Sequence, residues 1–595
     1  MEYSSDHLSP ISPVLYTSIS PAGTADSSFA GTPIKHEEGS FPEPPRKKQK
    51  RNKPTLSCEE CVERKTKCDR GRPNCIACIK RQTECKYTTV ANVLEETNRS
   101  VGNAATRMTK PPKKKSMMNG FEGPKQAPNP HQRSVSRGST SSSTGLLSNV
   151  PYSNPTASNV FGIGSEHPFA NYWTCQGGLP ETISVLPEKI QADILLDRYF
   201  ECVDPVYPMI HRQTFYADYE HFWSLPQPEK DRVDGTLVAM IFAMLAMGTQ
   251  FVTTTGPKER QQTAEFYVSA AHQSLRMSSY LNKASVRSIQ AMVLITYFLI
   301  NDNHASDGWA FAGILIRQAY AMGLHRDPNI VCPNASIFDK QMRRKLWQAV
   351  LLQDTFLTVL LSLPPSATHT DVNVDDLIDD SSSIAHSNPT DTAYIRGCWT
   401  LANLVQETIC SPRSLDLPIS STPRQKAKLL SDFKAVFRSF PDVFRSWDDG
   451  SITALAQTNK RIVRQTLFLT SNYFHNVMLV HSSGSPEVPV NVRGALEAAH
   501  DAINAFFLLF NIFASEAKVW WVFNHRAFLE ALCIGNILRE EESKGNGEDL
   551  INKDPLFARG KADILQMIQI MRIMSEGEDG SAVALTRVSV LSTYL

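Results

Sequence analysis

Residues 58–85 read CEECVERKTKCDRGRPNCIACIKRQTEC, and six of these 28 residues are cysteines. Their spacing is C-x2-C-x6-C-x6-C-x2-C-x6-C, so a shift of 17 residues places the first three cysteines on the last three. Two separate tetrahedral zinc sites need eight ligand positions, which six thiolates fill only if two sulfurs bridge. The spacing predicts a cluster of two zinc ions held by Cys58, Cys61, Cys68, Cys75, Cys78 and Cys85.

Other roles for six closely spaced cysteines are less consistent with the sequence. No histidine lies between His36 and His131, which excludes mixed Cys/His zinc fingers. A disulfide framework requires an oxidising compartment. The N-terminus, MEYSSDHLSP, lacks the apolar segment of a secretory signal. A zinc-stapled interaction module that does not bind DNA stays open as the alternative.

Basic residues lie within each half of the cysteine repeat. Arg64, Lys65 and Lys67 follow the second cysteine, and Lys80 and Arg81 take the equivalent place in the second half. The six residues between the second and third cysteines of each half are predicted to form about one and a half helical turns. A short helix with Arg and Lys at one end can enter the major groove and donate to guanine O6 and N7.

The charge distribution also indicates a nucleic-acid partner. The chain has 61 basic and 60 acidic residues, but residues 46–115 carry a net charge of +13 and the remainder carries −12. A basic module on an acidic body is the electrostatic pattern of a protein that binds nucleic acid.

The whole cysteine pattern, the basic run 64–67 before Cys68, and Asp69 and Pro73 after it resemble the fungal six-cysteine binuclear zinc cluster transcription factors. The resemblance implies that Cys58 and Cys75 are the bridging ligands. It also implies a nuclear, sequence-specific regulator of RNA polymerase II genes that binds double-stranded DNA and reads CGG-type triplets.

In this family the base contacts come from a basic pair in the middle of the first helix. By resemblance that pair is Arg64 and Lys65 here, and Lys67 is the candidate for a phosphate contact. Such regulators often serve metabolic or biosynthetic pathways, which is the expected role of this chain.

A basic run flanks the cluster on its N-terminal side. It predicts a nuclear-import signal and a phosphate-binding arm. The predicted import residues are Arg46, Lys47, Lys48, Lys50 and Arg51, and the predicted arm residues are Arg51 and Lys53. A second run, 113–115, has the same character, and Lys35 within Ile34-Lys35-His36-Glu37 fits the attachment pattern of a small ubiquitin-like modifier.

Composition and periodicity predict an all-α protein with a small zinc module, disordered linkers and a large multi-helix domain, which the family resemblance implies is regulatory. The predicted parts are a disordered segment at 1–45, the zinc cluster with its basic arm at 46–88, a short coiled coil at 89–108, a disordered linker at 109–180 and an all-helical domain at 181–595. The coiled coil rests on a seven-residue repeat and makes a homodimer one interpretation of the chain.

The helical domain resembles the middle homology domain of fungal transcription factors. The residues that carry this resemblance are Tyr207-Pro208-Met209-Ile210-His211-Arg212, then Met322-Gly323-Leu324-His325-Arg326-Asp327-Pro328, and Arg343-Arg344-Lys345-Leu346-Trp347. The chain has Leu361-Ser362-Leu363-Pro364-Pro365 where the family usually has a Gly-Arg-Pro turn. Transcriptional co-regulators are the expected partners of this domain.

No constellation predicts an enzyme, because the sequence has no Gly-x-Ser-x-Gly elbow, phosphate-cradling loop or His-Glu-x-x-His site. The triplet 325–327 is expected to cap a helix and pair with neighbours. The apolar stretch 237–252 is too short to span a membrane and is expected to be a buried helix. Met240, Met244, Met247, Phe251, Tyr297 and Phe298 are expected to pack in the core, so a small-molecule inducer has no support in them.

Overall fold

The computed structural model describes residues 58–68, 75–86, 177–368, 372, 374, 389–544, 553–577 and 580–595. The chain divides into two compact units, within residues 1–135 and within residues 136–595. Every regular element of the described residues is helical and none is a β-strand. The all-α prediction is therefore confirmed.

The described part of the first unit has two short helices, α1 (Glu59–Glu63) and α2 (Ile76–Arg81). They are too short to persist alone in water, where about 12–15 residues are needed. Their common core consists of cysteine side chains, four of which are fully buried. Cross-linking through these sulfurs is therefore what such a small unit needs in order to fold.

The second unit begins with helices arranged around α7 (Gly235–Gln250), of which all residues except Gln250 are buried. A helix that is apolar on every side is stable only when it is surrounded. The expectation that 237–252 is a core helix is therefore confirmed. The other helices of this half are α3 (Leu179–Ser184), α4 (Lys189–Arg198), α5 (Arg212–Ser224), α6 (Gln227–Lys230), α8 (Pro257–Met277), α9 (Val286–Asn301), α10 (Ala305–Ala321), α11 (Pro328–Val331) and α12 (Ile337–Leu361).

A glycine sets how closely α4 approaches α7. A Cβ atom added to Gly248 of α7 would lie 3.0 Å from the carbonyl carbon of Leu195 in α4, and closer still to the carbonyl oxygen. Carbon atoms in ordinary contact are about 3.5–4.0 Å apart. Only glycine therefore allows this crossing without moving one of the two backbones.

The C-terminal half continues the same core, with α18 (Lys460–Ser482) packed along α19 (Val492–Ile512) and α19 packed against α21 (Trp521–Glu542). The apolar residues of both halves form one continuous cluster. The other helices are α13 (Pro389–Val405), α14 (Ser411–Ser414), α15 (Pro423–Ser439), α16 (Asp442–Arg445), α17 (Asp449–Leu455), α20 (Ala514–Val519), α22 (Pro555–Ser575) and α23 (Ala582–Leu591).

Apolar stripes read from the sequence fall on buried helix faces. Ile289, Met292 and Ile300 of α9 are at most 1 % exposed. Gly323 follows α10 with φ of +66°, the left-handed conformation that ends many helices. Among the described residues, none of the helices combines the length and apolarity that crossing a bilayer requires.

Several predicted segments lie outside the described residues. These are 1–45, the basic arm 46–53, the coiled coil 89–108 and nearly all of the linker 109–180, and with them Lys35. The predicted boundaries of the five parts of the chain remain predictions.

Candidate metal centre and nucleic-acid interface

The first half of the cysteine repeat forms one helical turn followed by a reversal of the chain. Cys58 is the N-cap of α1, and its carbonyl accepts a hydrogen bond from Val62 N at 3.1 Å. Lys65 then adopts the left-handed conformation, with φ of 52°. This reversal brings Thr66 N to the carbonyl of Cys61 at 2.9 Å and leads the chain back toward Cys68.

The second half repeats this backbone 17 residues later. Cys75 is the N-cap of α2, and its sulfur accepts from Cys78 N at 3.4 Å. Gln82 is left-handed with φ of 54°, and Thr83 N donates to the carbonyl of Cys78 at 3.1 Å. The internal repeat of the sequence is thus also a repeat of the hydrogen-bonding pattern.

The predicted position of the two helices is wrong. They begin directly after the first cysteine of each half and end at Glu63 and Arg81, so they cover only part of the segments between the second and third cysteines. A helix along all six of those residues would carry the chain about 9 Å along its axis, at 1.5 Å per residue. The left-handed residues instead turn each third cysteine back to the cluster.

The six sulfurs form two groups of four, and in each group all ligand atoms lie within 4.8 Å of one another. One group is Cys58, Cys75, Cys78 and Cys85, and the other is Cys58, Cys61, Cys68 and Cys75. Both groups contain Cys58 and Cys75. Each half of the repeat therefore contributes two sulfurs that belong to a single group and one that belongs to both.

The separations of the sulfurs fit zinc. Sulfur–sulfur distances are 3.7 Å for Cys58–Cys75, Cys58–Cys78 and Cys61–Cys75, and 3.8 Å for Cys58–Cys68. A zinc tetrahedron with Zn–S bonds of about 2.3 Å has edges of about 3.8 Å. A disulfide requires about 2.05 Å, so none of these pairs is bonded.

Burial alone opposes ionisation of these thiols. It raises the pKa of Cys58 far above its ordinary value and that of Cys78 to about 12. Burial also acts to raise the pKa of Cys75, but hydrogen bonds from Cys78 N–H and the neighbouring thiols outweigh it and lower that pKa to about 6. Six thiolates at this spacing need nearby positive charge, which a divalent metal ion supplies.

The basic residues surround this cluster on its exposed side. Arg64 is the C-cap of α1, with 57 % of its side chain exposed, and Lys65 and Lys67 are also exposed. The predicted basic pair thus lies at the end of the first helix, not in its middle. The Nε of Arg64 contacts the Glu60 carboxylate, so this pair uses one of the three guanidinium nitrogens.

A hydrogen bond across the repeat connects the two halves outside the sulfur core. Arg81 Nη1 donates to Thr66 Oγ1 at 3.1 Å. Because Thr66 follows Lys65 directly, this bond restrains the turn that carries the basic pair. Arg51, Lys53 and the import residues 46–50 lie outside the described residues, so their predicted roles remain predictions.

Residues of the helical unit that suggested chemistry have structural roles. Asp327 caps α11 by accepting from Asn329 N at 3.0 Å, and it pairs with Arg344 at 3.1 Å. The His325 ring packs against Tyr320, with centroids 4.7 Å apart. The methionine and aromatic residues set aside as core are all buried: Met240, Met244, Met247, Phe251, Tyr297 and Phe298.

Two family models match the chain at these two units. The fungal Zn(2)-Cys(6) binuclear cluster domain matches residues 56–92, and the fungal specific transcription factor domain matches residues 196–436. The cluster geometry and the helical unit together define a zinc-cluster protein with a large multi-helix unit. In both units the chain is similar to the fungal Zn(2)-Cys(6) transcription factors.

Three relatives show how far the similarity extends. The transcription factor yanR of Aspergillus niger is 29% identical over 203 residues, which is 32% of this chain and 25% of yanR. The Zn(2)-C6 fungal-type transcription factor mpsB of Macrophomina phaseolina is 28% identical over 191 residues, 31% of this chain and 25% of mpsB. The transcription factor opdR of Penicillium oxalicum is 29% identical over 189 residues, 32% of this chain and 23% of opdR. The chain thus matches about a quarter of the length of these relatives.

Proposed function

We propose that this chain is a nuclear regulator of RNA polymerase II transcription that reads CGG-type DNA triplets through a cluster of two zinc ions. The observation that carries the proposal is the pair of four-sulfur groups sharing Cys58 and Cys75, with an exposed basic turn beside them. The matches to the two family models support DNA binding and zinc as the metal. A metabolic or biosynthetic target pathway is proposed because regulators of this family often serve one.

The proposed DNA contacts of Arg64, Lys65 and Lys67 are assigned from their exposure and their position in the chain. Arg64 and Lys65 occupy adjacent positions at one turn, where a guanidinium and an ammonium can donate to guanine O6 and N7. Lys67 lies two residues further on and is assigned to a phosphate. Phosphate contacts position the protein on DNA without reading sequence, and they make binding strongly dependent on salt.

Zinc is required for the fold of this module. Cys58 and Cys75 would bridge two ions, and Cys61 and Cys68 would complete one site while Cys78 and Cys85 complete the other. The metal would hold α1 and α2 together, because neither helix has enough apolar surface of its own. Its role in this proposal is structural, since every ligand position is taken by a thiolate.

The test is selection from a random DNA library by the full chain at near-physiological salt, with zinc and with a chelator. We expect zinc-dependent enrichment of CGG-like triplets, and two equivalents of zinc per chain by elemental analysis. Paired triplets at a fixed spacing would support a homodimer, whereas single triplets would support a monomeric reader.

The alternative to DNA reading has its own outcome in this experiment. Zinc-dependent folding with salt-sensitive binding but no enriched motif would refute sequence-specific recognition. The zinc-stapled interaction module would then be the better account of residues 58–85, and the helical unit would be sought in complexes with co-regulators.

A further inference from the structure

An open cleft of about 500 Å³ lies in the helical unit where the first turns of four long helices meet. Its lining includes the N-caps of α5, α7 and α9, which are His211, Asp234 and Ser285. The first turn of α12 contributes Phe338. Sites for small molecules typically have volumes of about 300–1,000 Å³, so this cleft has the size of a ligand site.

Most of the charge on the cleft wall is already matched. Arg287 contacts the Asp218 carboxylate and lies 3.6 Å from Asp234. Asp234 also accepts from Thr236 N at 2.9 Å as the cap of α7. Asp339, in the first turn of α12, accepts from the hydroxyl of its N-cap serine at 2.7 Å. These carboxylates serve either the arginine or a helix N-terminus.

Arg343 is the charged group of the cleft that has no counter-ion. Its Nη2 donates to the carbonyl of Met322, and its Nε is buried without a hydrogen-bond partner. Within the described residues no carboxylate lies in ion-pair distance of this guanidinium.

The cleft lining includes apolar side chains, and Gln290 is its one fully buried polar residue. Gln290 is only 4 % exposed, and its amide nitrogen donates to Met209 O at 3.1 Å. Its amide oxygen accepts no hydrogen bond from the described residues although it lines the cleft. A ligand that fills the cleft would exclude water from this oxygen, so a ligand with a hydrogen-bond donor at this place is favoured over one without.

We propose that this cleft binds a small monocarboxylic acid with an apolar body. The carboxylate pairs with the Arg343 guanidinium, and the body packs on Met240, Phe338 and Met342. A hydroxyl or N–H on the body donates to the amide oxygen of Gln290. This proposal concerns the helical unit alone and does not depend on whether residues 58–85 read DNA.

A cysteine in the cleft makes its occupancy measurable. Cys332 lines it and is half-buried, whereas Cys202, Cys398, Cys410 and Cys533 are buried elsewhere in the unit. Alkylation of Cys332 by iodoacetamide, followed by peptide mass spectrometry, therefore measures access to this one place. The full zinc-loaded chain is used, so that the cluster thiols are ligated.

The probe is 3-(4-hydroxyphenyl)propionate, with its amide and 3-phenylpropionate as matched compounds. At about 10 mM we expect the acid to slow alkylation of Cys332 at least about twofold, which corresponds to half occupancy at that dissociation constant. The amide should not protect, because it has no charge for Arg343. Phenylpropionate should bind several-fold more weakly, because it leaves Gln290 without a donor.

Two variants test the assigned contacts. Arg343→Gln should weaken protection about tenfold or more, whereas Arg438→Gln, at an exposed position of α15, should leave it unchanged. Ala335→Trp fills the cleft without removing a charge and should abolish protection. Circular dichroism melts show whether each variant is folded.

The proposal is overturned if the acid does not protect Cys332, or if its amide protects equally well. Retained protection in folded Arg343→Gln also overturns it. If Arg343→Gln does not fold, Ala335→Trp decides, because protection retained in that variant would place the probe elsewhere.

Discussion

Gly248 provides a test of how tightly the helical unit is packed. In Gly248→Ala the new methyl carbon would lie 3.0 Å from the Leu195 carbonyl carbon and closer still to its oxygen, so α4 and α7 must separate by more than about 0.5 Å before both contacts become ordinary. Forcing a methyl group into a filled interior costs about 3 kcal/mol, and the higher helix propensity of alanine offsets about 1 kcal/mol. We expect a net loss of about 2 kcal/mol in the free energy of unfolding.

Gly313 is the matched control for this substitution. It lies in the interior of α10, and a Cβ atom added there meets nothing within 4 Å. Gly313→Ala should therefore stabilise the protein by up to about 1 kcal/mol through helix propensity alone. Urea unfolding of the full chain, followed by far-UV circular dichroism, measures both variants against the parent. Shifts of the two midpoints in the same direction would refute the packing argument.

Three further predictions concern the zinc cluster, the DNA interface and a buried carboxyl group. Removing zinc with a chelator should abolish DNA binding but leave most of the far-UV helical signal, because α3–α23 lie outside the cluster. Loss of that signal would show that the helical unit does not fold independently of the zinc cluster. Arg64→Ala should cost about 1–3 kcal/mol of binding free energy on cognate DNA only. Lys67→Ala should weaken binding to all DNA sequences and reduce the slope of log affinity against log salt by about one. Equal effects of the two variants in titrations at several salt concentrations would contradict these roles. Burial raises the pKa of the Asp354 carboxyl to about 6, although hydrogen bonds from Ser366 N and Ala367 N act to lower it. The protonated carboxyl group therefore stabilises the folded protein fully below pH 3.8, and this contribution is lost as the pH rises to about 6. Asp354→Asn should remove about 3 kcal/mol of this change in the free energy of unfolding with pH. If the urea midpoint of the parent protein does not change across this pH range, the prediction is wrong.

The convergence of the six cysteine sulfurs was predictable from their spacing, because sulfur ligation depends on few variables. Six cysteines and a repeat of 17 residues predict that the sulfurs converge before any conformation is known, and the structure brings all six into two four-sulfur groups. The position of α1 and α2 was not predictable in the same way. It depends on the left-handed conformations of Lys65 and Gln82, which are residues without a strong preference for that region. Periodicity arguments contain no information about such single positions.

The core of the helical unit followed from the apolar pattern, as the burial of Ile289 and of α7 illustrates. The cleft did not, because its walls come from segments far apart in the chain, between Ile210 and Arg343. An arginine lacking a counter-ion is recognised only when its neighbours are known. In the sequence Arg343 is one of a basic run before Trp347 and resembles any solvated charge.

The sharing of Cys58 and Cys75 has a consequence for how the protein responds to metal supply. If two zinc ions occupy the two four-sulfur groups as proposed, the first ion to bind would fix two of the four ligands of the second, which would then bind to a partly assembled site. Loading is therefore expected to be cooperative, and a population at limiting zinc divides into empty and fully loaded molecules. The folded, DNA-binding fraction of such a protein would rise steeply within a narrow range of free zinc concentration.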